Sequence, residues 1–568
     1  MKKVFVYCLF SVFFLTLPAV ASDDVELLKN ELKKISQTME MLQKKIETME
    51  EKNKEEKEEV QSLSERVDKT ELHTATDKVS LGVELRTEGH SIYYKDMLVA
   101  PSSLTQGFFT PYAADGTGGF YGGTLEQIQG GMAGMAAAGM IPPVEKYDAD
   151  NKFLPTNKFN LNMKAKVNKN LSFDGRLAAY KVWGDSTGIK TNTGSLGDVT
   201  LDGNTSSLPH GDTIRLERAY FVYSKDVGSV PVSFSLGRRP STDGAPMEYE
   251  KNSMVAGSPL APIINWQFDG ASLNFGLEEV TNIPGAAFKL CYGVGFEGGW
   301  GNSYSLQNTS ADVDDVHMLG AITTLYDDDS TSAVLNYAHA WGMTDGFAGL
   351  TLMPFIAYKA DKDGDGTSEY YFEPNYGGYI SRMQPMTEIG DWDGASLLLK
   401  SNLDEVVEKD IDVFLALSWS HTDPSQISQN PFYEIMGQGL LSSNGQLESH
   451  HGYSIYAGVL LPMPLDAKWG FEYNWGSKYW FNLSGAEDSI TGSKLSARGS
   501  VFETYYIQPV VSDNFFLKLG MKYYDYKYTG SGNPLGAPVE ISEANALDAI
   551  FPIIDKVWDI SASLTMRF

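Results

Sequence analysis

The segment that most constrains this chain is its last stretch. Trp558, Ile560, Ala562, Leu564, Met566 and Phe568 are apolar, and Asp559, Ser561, Ser563, Thr565 and Arg567 stand between them. A period of two places successive side chains on opposite faces, so this is a strand with one greasy and one wet face. A sheet built from such strands must set its two faces against different media.

The same period begins at Val79, where Val79, Leu81, Val83 and Leu85 alternate with Ser80, Gly82, Glu84 and Arg86. It recurs near 158–168, 171–183, 212–225, 230–238, 263–278, 286–297, 315–326, 331–341, 394–401, 410–420, 451–461, 466–476, 499–510, 514–526 and 557–568. With 79–88 these make sixteen strands, an even number, with fourteen or eighteen within reach of boundary shifts. The connection Asn168-Lys-Asn170 reads as a tight turn. Short connections (168–170, 226–229, 279–285, 327–330, 402–409, 462–465, 511–513) strictly alternate with long ones. The expected fold is an all-β transmembrane barrel of about sixteen antiparallel strands, with short periplasmic turns and long external loops. Closure follows because an open edge would leave backbone groups unpaired in hydrocarbon. Trp183, Trp266, Trp341, Trp419, Trp469, Trp475, Trp480 and Trp558, with Tyr523 and Tyr524, fall near strand ends and are expected in interfacial girdles.

The N-terminal part obeys other rules. Lys2 and Lys3, the apolar run Val4 to Leu17 and Ala19-Val-Ala21 predict a signal peptide of residues 1–21, cleaved after Ala21. After residue 21 no apolar stretch approaches the ~18 residues of a membrane helix. Cys291 is then the one remaining cysteine, which excludes a disulfide framework and thiolate zinc sites. Residues 22–72 carry an apolar seam at 3.5-residue spacing: Val25, Leu28, Leu32, Ile35, Met39, Leu42, Ile46, Met49, then Val60, Leu63 and Val67. That seam predicts a periplasmic coiled coil, with Asn53 at an a-type position where a buried amide fixes register. A coiled coil needs partner helices, so a homo-oligomer is expected, a trimer being preferred. The barrel is assigned residues 79–568.

Candidate chemistry is sparse. Alternation turns Arg86, Lys164, Lys166 and Arg176 toward the lumen, and Arg215, Arg218, Arg238 and Arg239 add further charge. This basic wall is the candidate constriction. The alternative is that they are ordinary wet lumen residues paired with Glu84, Asp174 and Glu217. The whole chain is acidic, with a formal charge of −28, and residues 342–393 carry nine acids against three bases. Wall and loops thus oppose each other, and ion selectivity stays open. Asp361, Asp363 and Asp365, with Glu369 nearby, resemble the start of a calcium loop that then departs from the pattern at Phe372. Calcium is the one cofactor the sequence admits. The small-residue and methionine segment Thr124 to Met140, in the loop 89–157, suits a lumen plug, a surface flap or an oligomer contact. His450 and His451 lack further identifiable ligands, and no hydrolase or phosphate-binding motif is present. No enzyme activity and no nucleic-acid partner are expected.

The closing strand and its terminal Phe568 resemble the signal that barrel assembly machinery reads in outer-membrane proteins. Leu216-Glu-Arg-Ala-Tyr-Phe-Val-Tyr223 and Phe234-Ser-Leu-Gly-Arg-Arg-Pro240 look like the paired-strand signature of Gram-negative porins. Phe159 to Asp185, with Lys166-Val-Asn-Lys-Asn-Leu-Ser-Phe173 and Val182-Trp-Gly-Asp185, resembles an uncharacterised family of proteobacterial outer-membrane proteins. Its members pair an N-terminal coiled coil with a porin-like barrel, and the resemblance transfers no site residue. It implies outer-membrane lipid around the barrel and a channel for passive diffusion of small polar or charged solutes. The alternative is a structural or partner-binding barrel, either a tether to the cell wall or a sheath for an electron-transfer protein.

Overall fold

The computed structural model describes residues 79–104, 123–184, 209, 214–239, 244–253, 257–296, 313–346, 349–352, 355–374, 380–383, 385–484 and 487–568. The expected signal peptide and coiled coil, with Asn53, lie outside these residues.

Sixteen strands close into one antiparallel barrel. They are β1 (Val79–Val99), β2 (Glu145–Lys166), β3 (Leu171–Val182), β4 (Arg215–Val227), β5 (Val230–Arg239), β6 (Phe268–Gly276), β7 (Ala287–Phe296), β8 (Val316–Asp327) and β9 (Thr331–Thr344). Two small external hairpin sheets follow, β10 (Gly349–Leu352) with β13 (Ile380–Met383) and β11 (Phe355–Ala360) with β12 (Glu369–Pro374). The barrel resumes with β14 (Glu388–Asn402), β15 (Asp412–Pro424), β16 (His450–Pro462), β17 (Lys468–Gly476), β18 (Gly499–Ser512), β19 (Phe515–Tyr526) and β20 (Lys556–Arg567). Every strand read from the alternation is present.

Closure occurs between the first and last strands, from Glu84 opposite Arg567 to Lys95 opposite Lys556. Phe568 extends that ladder: its N–H donates to the Val83 carbonyl at 3.0 Å and its carbonyl accepts from the Val83 N–H at 2.7 Å. With the first and last strands paired, the described barrel has no open edge strand, whose unpaired backbone groups would each cost several kcal/mol in hydrocarbon. The β2–β3 turn is held by Asn168, whose side-chain oxygen accepts from the N–H groups of Asn170 (2.8 Å) and Leu171 (3.0 Å).

Burial on the strands is inverted relative to a water-soluble protein. On β20, Trp558, Ile560, Leu564 and Met566 are 37–48% exposed, while Asp559, Ser563 and Thr565 are at most 5% exposed. The apolar set points outward and the polar set inward, which is the arrangement of a barrel in lipid. Trp183, Trp341, Trp469 and Trp558 lie on the outer face as expected. Trp266 and Trp480 do not: both are buried, at 4% and 0% exposed. They belong to loops that fold inward, and β6 begins at Phe268, five residues later than the alternation suggests.

Those loops fill part of the lumen. Segment 244–267, between β5 and β6, contributes Met247, Leu260, Ile263 and Trp266 to an apolar cluster. Segment 477–498, between β17 and β18, adds Trp480, Phe481 and Leu495. They pack on inward residues of β8, β9, β14 and β15, among them Met318, Val334, Leu398 and Phe414. This half of the barrel therefore has a true hydrophobic core, driven by removal of apolar surface from water. The segment Thr124 to Met140 takes no part in it. It forms a helix, α1 (Leu125–Ala137), started by a capping box between Thr124 and Gln127. Its one buried residue, Ile128, packs with Tyr370, Ile435 and Ile550 of other external loops. Its described residues thus lie apart from the lumen core, a position that suits a surface flap or an oligomer contact rather than a lumen plug.

Candidate functional site

The inward loops are anchored by charge as well as by apolar packing. Glu250 faces Lys518 (3.3 Å) and Lys522 (3.5 Å) of β19, and Glu248 accepts from Lys400 of β14 at 2.6 Å. Arg567 on β20 donates to the carbonyls of Asn252 (2.6 Å) and Lys251 (2.9 Å). The loop that leaves β5 thus crosses the lumen to the opposite wall. From the other long loop, Lys494 reaches Glu472 of β17 and Glu503 of β18, each at 2.6 Å. Glu472 also accepts from the hydroxyls of Tyr456 (2.6 Å) and Tyr505 (2.9 Å). Burial alone would push the Glu250 carboxyl up, but Lys494, Lys518 and Lys522 hold it well below the usual carboxylate range. Lys494 is the mirror case: burial pulls it down, and the three carboxylates outweigh that and keep it charged.

Further along the same loop, Asp488 Oδ2 meets Arg86 Nη1 at 2.7 Å and Lys158 Nζ at 3.1 Å. These two cations stand on β1 and β2, and both lie over the Tyr180 ring, 5.7 and 5.5 Å from its centroid. Burial would raise the Asp488 carboxyl, and the Arg86 and Lys158 charges override it.

Between the loops and the opposite wall runs a cavity of about 980 Å³, lined by β1 to β8 and β18 to β20. Its lining carries eleven lysines and arginines against seven carboxylates. Of the sequence-predicted residues, Arg86, Lys164, Arg176, Arg218 and Arg239 line it. Arg176 pairs in register with Arg218, and Arg238 with Ala219. Arg176, Arg218 and Arg239 therefore occupy successive strands, which lie about 4.8 Å apart. Glu217 is the extra residue of a β-bulge between these rows and takes Arg176 at 2.9 Å. Lys166, Arg215 and Arg238 are outside the lining. Arg238 instead pairs with Asp269 at 2.8 Å, after Gly237 at φ 127° interrupts the strand's regular alternation. Sequence reasoning missed Lys158, although it continues the inward series Asn160, Asn162, Lys164. It also missed Glu250, Asp488 and Lys494, which carry no local motif.

A second cavity of about 1130 Å³ lies among the external loops 430–444, 478–498 and 526–554. Among the described residues, Ser489 and Ile490 are the two that line both cavities. The segment around them lies between the two cavities.

The acidic external turn is a separate feature. Ligand oxygens of Asp361, Asp363 and Asp365 lie within 4.8 Å of one another. Asp361 accepts from the N–H groups of Gly364 (2.6 Å) and Gly366 (2.9 Å), which hold its carboxyl below the ordinary range. Three exposed carboxylates suit a hard cation such as calcium. Glu369 is turned away: it is buried on β12 and accepts from the Tyr371 hydroxyl at 3.2 Å. His451 accepts from Trp419 Nε1 at 3.2 Å, and His450 stacks on Tyr479 with ring centroids 3.7 Å apart.

Among solved structures, Pseudomonas putida OprB at high pH is 10% identical, with 86% of this chain and 94% of that chain covered and a TM-score of 0.37. The Salmonella typhi OmpF complex with daunomycin is 11% identical, with 87% and 99% covered and a TM-score of 0.36. The trimer form of OmpT, an outer-membrane protein of Vibrio cholerae, is 9% identical, with 86% and 99% covered and a TM-score of 0.36. The barrel assignment rests on the strand ladder itself rather than on these likenesses. No curated protein matches the chain. The profile described as "Protein of unknown function (DUF3373)" matches residues 148–568, from within β2 to the end of the barrel, and the chain belongs to that family.

Proposed function

We propose that this chain is an outer-membrane channel for passive diffusion of small polar solutes, with a preference for anions. The observation that carries the reading is the cavity lined by β1 to β8 and β18 to β20, which holds eleven basic residues against seven acidic ones. Water and fixed positive charge in a low-dielectric tube raise the local concentration of anions. The acidic external loops lie in bulk water, where a field decays within about 8 Å at physiological salt. The basic lining therefore governs permeation. The constriction residues are Arg86, Lys164, Arg176, Arg218 and Arg239.

In this reading residues 1–21 are removed on export. The heptad seam of residues 22–72 then joins copies of the chain in the periplasm, most simply as a trimer, where it can also reach the cell wall. Phe568 is the residue the barrel assembly machinery reads, and calcium is the ion the Asp361–Asp365 turn would take. Liposome swelling tests the channel. Vesicles carrying the purified barrel should swell in isotonic small carboxylates faster than in neutral sugars of equal size. A folded barrel that admits neither would return the tether or sheath.

A further inference from the structure

The contact between Asp488 and the β1–β2 wall is poorly matched for a carboxylate on a guanidinium. Arg86 Nη1 and Lys158 Nζ both use the same oxygen, Oδ2, at 2.7 and 3.1 Å. Asp488 Oδ1 and Arg86 Nη2 are buried with no hydrogen-bond partner among the described residues. Tyr180, 1% exposed, supports both cations with its ring. Arg86 Nε faces Glu88 Oε2 at 3.2 Å, and Glu88 is itself 3.4 Å from His90, which pairs with Asp559 at 2.9 Å. Asp488 thus engages the guanidinium through one oxygen and one nitrogen, whereas a well-placed carboxylate forms two parallel hydrogen bonds with it.

We propose that Arg86, Lys158 and Tyr180 form a binding site for a small carboxylate, that Asp488 is its tethered resident occupant, and that a permeating carboxylate exchanges with it. The proposal rests on the channel reading for the word "permeating", and on the contact geometry alone for the site. Its position gives the exchange a consequence. Asp488 adjoins Ser489 and Ile490, the residues that line both lumen and vestibule. Displacing its side chain loosens the wall between the two cavities at the moment an anion arrives.

The test uses the full-length mature protein with D488A, with D488N as the isosteric second variant, and acetate as the probe. Heat-modifiable migration on a gel reports that each barrel is folded. Removing the tethered competitor leaves two cations facing a vacated site. Acetate should then retard chloride current through D488A at a concentration about tenfold or more below that needed for wild type. Acetate, but not neutral acetamide, should also restore part of the denaturant resistance lost in D488A. R86Q/D488A should lose both responses. Equal acetate responses in wild type, D488A and D488N would overturn the proposal, as would a response that survives R86Q/D488A. If neither wild type nor D488A conducts while both are folded, the channel reading fails. Acetate rescue of D488A stability requires no current and still decides the site.

Discussion

Asp488 and Arg86 are 402 residues apart in sequence and 2.7 Å apart across the lumen. The pair joins the loop between β17 and β18 to a barrel wall three strands beyond β18, the strand the loop enters. Both side chains are mostly buried, 6% and 20% exposed, so the interaction is little screened by solvent.

Its pH dependence has a definite sign. The Asp488 carboxyl is held below its unfolded value of about 3.9. Its contribution is therefore complete above that unfolded value and is lost as pH falls through the lower folded value. D488N should cost roughly 3 kcal/mol, the scale for removing one member of a buried pair. The difference in denaturant stability between wild type and D488N should be the same at pH 8 and pH 5.5, narrowing only below about pH 4. A gap that closes between pH 8 and pH 5.5 would assign the contact to another titrating group.

Lys494 is the anchor of its loop. It is 1% exposed and bonded to Glu472 and Glu503, each at 2.6 Å. K494M keeps the volume but leaves these carboxylates buried together, at a cost of roughly 3–5 kcal/mol. The loss should fall on the loop rather than on the strands. Hydrogen exchange should rise across residues 487–498 while β17 and β18 stay protected, and loss of protection throughout the barrel would contradict this division.

Adjacent residues on β5 test the assignment of faces. Phe234 is outward and 38% exposed, whereas Ser233 lines the lumen cavity. F234R should destabilise the barrel by about 2–4 kcal/mol if it lies near the midplane, less toward an interface. S233R places its charge in water, so it should be tolerated and change conductance instead. Equal destabilisation by the two variants, read from refolding in detergent or lipid, would mean the faces are misassigned.

What the sequence made legible follows from where each rule applies. On β20 one face meets lipid and one meets the lumen, so Trp558 to Phe568 alternate without a break. All sixteen barrel strands were found this way. The rule lapses where the medium is the same on both sides. β1 and β2 run on to Val99 and back to Glu145, beyond the alternating segments, and Glu145 to Phe153 are almost all exposed. Trp266 and Trp480 misled for the opposite reason, because a tryptophan that anchors an inward loop has the same local signature as one at a lipid interface. The basic wall was half legible: inward alternation gave Arg86, Lys164 and Arg176. Glu250, Asp488 and Lys494 acquire their meaning from partners on distant strands, which no local pattern reveals.

A channel of this kind requires a water-filled lumen whose fixed charge is positive. Single-channel recording of the mature protein in a planar bilayer under a potassium chloride gradient measures this most directly. Discrete steps are expected, with a reversal potential displaced toward the chloride equilibrium potential that R176Q, R218Q and R239Q each move back toward zero. A reversal potential on the potassium side, unmoved by these substitutions, would contradict a basic constriction, and a folded barrel with no steps would contradict the channel.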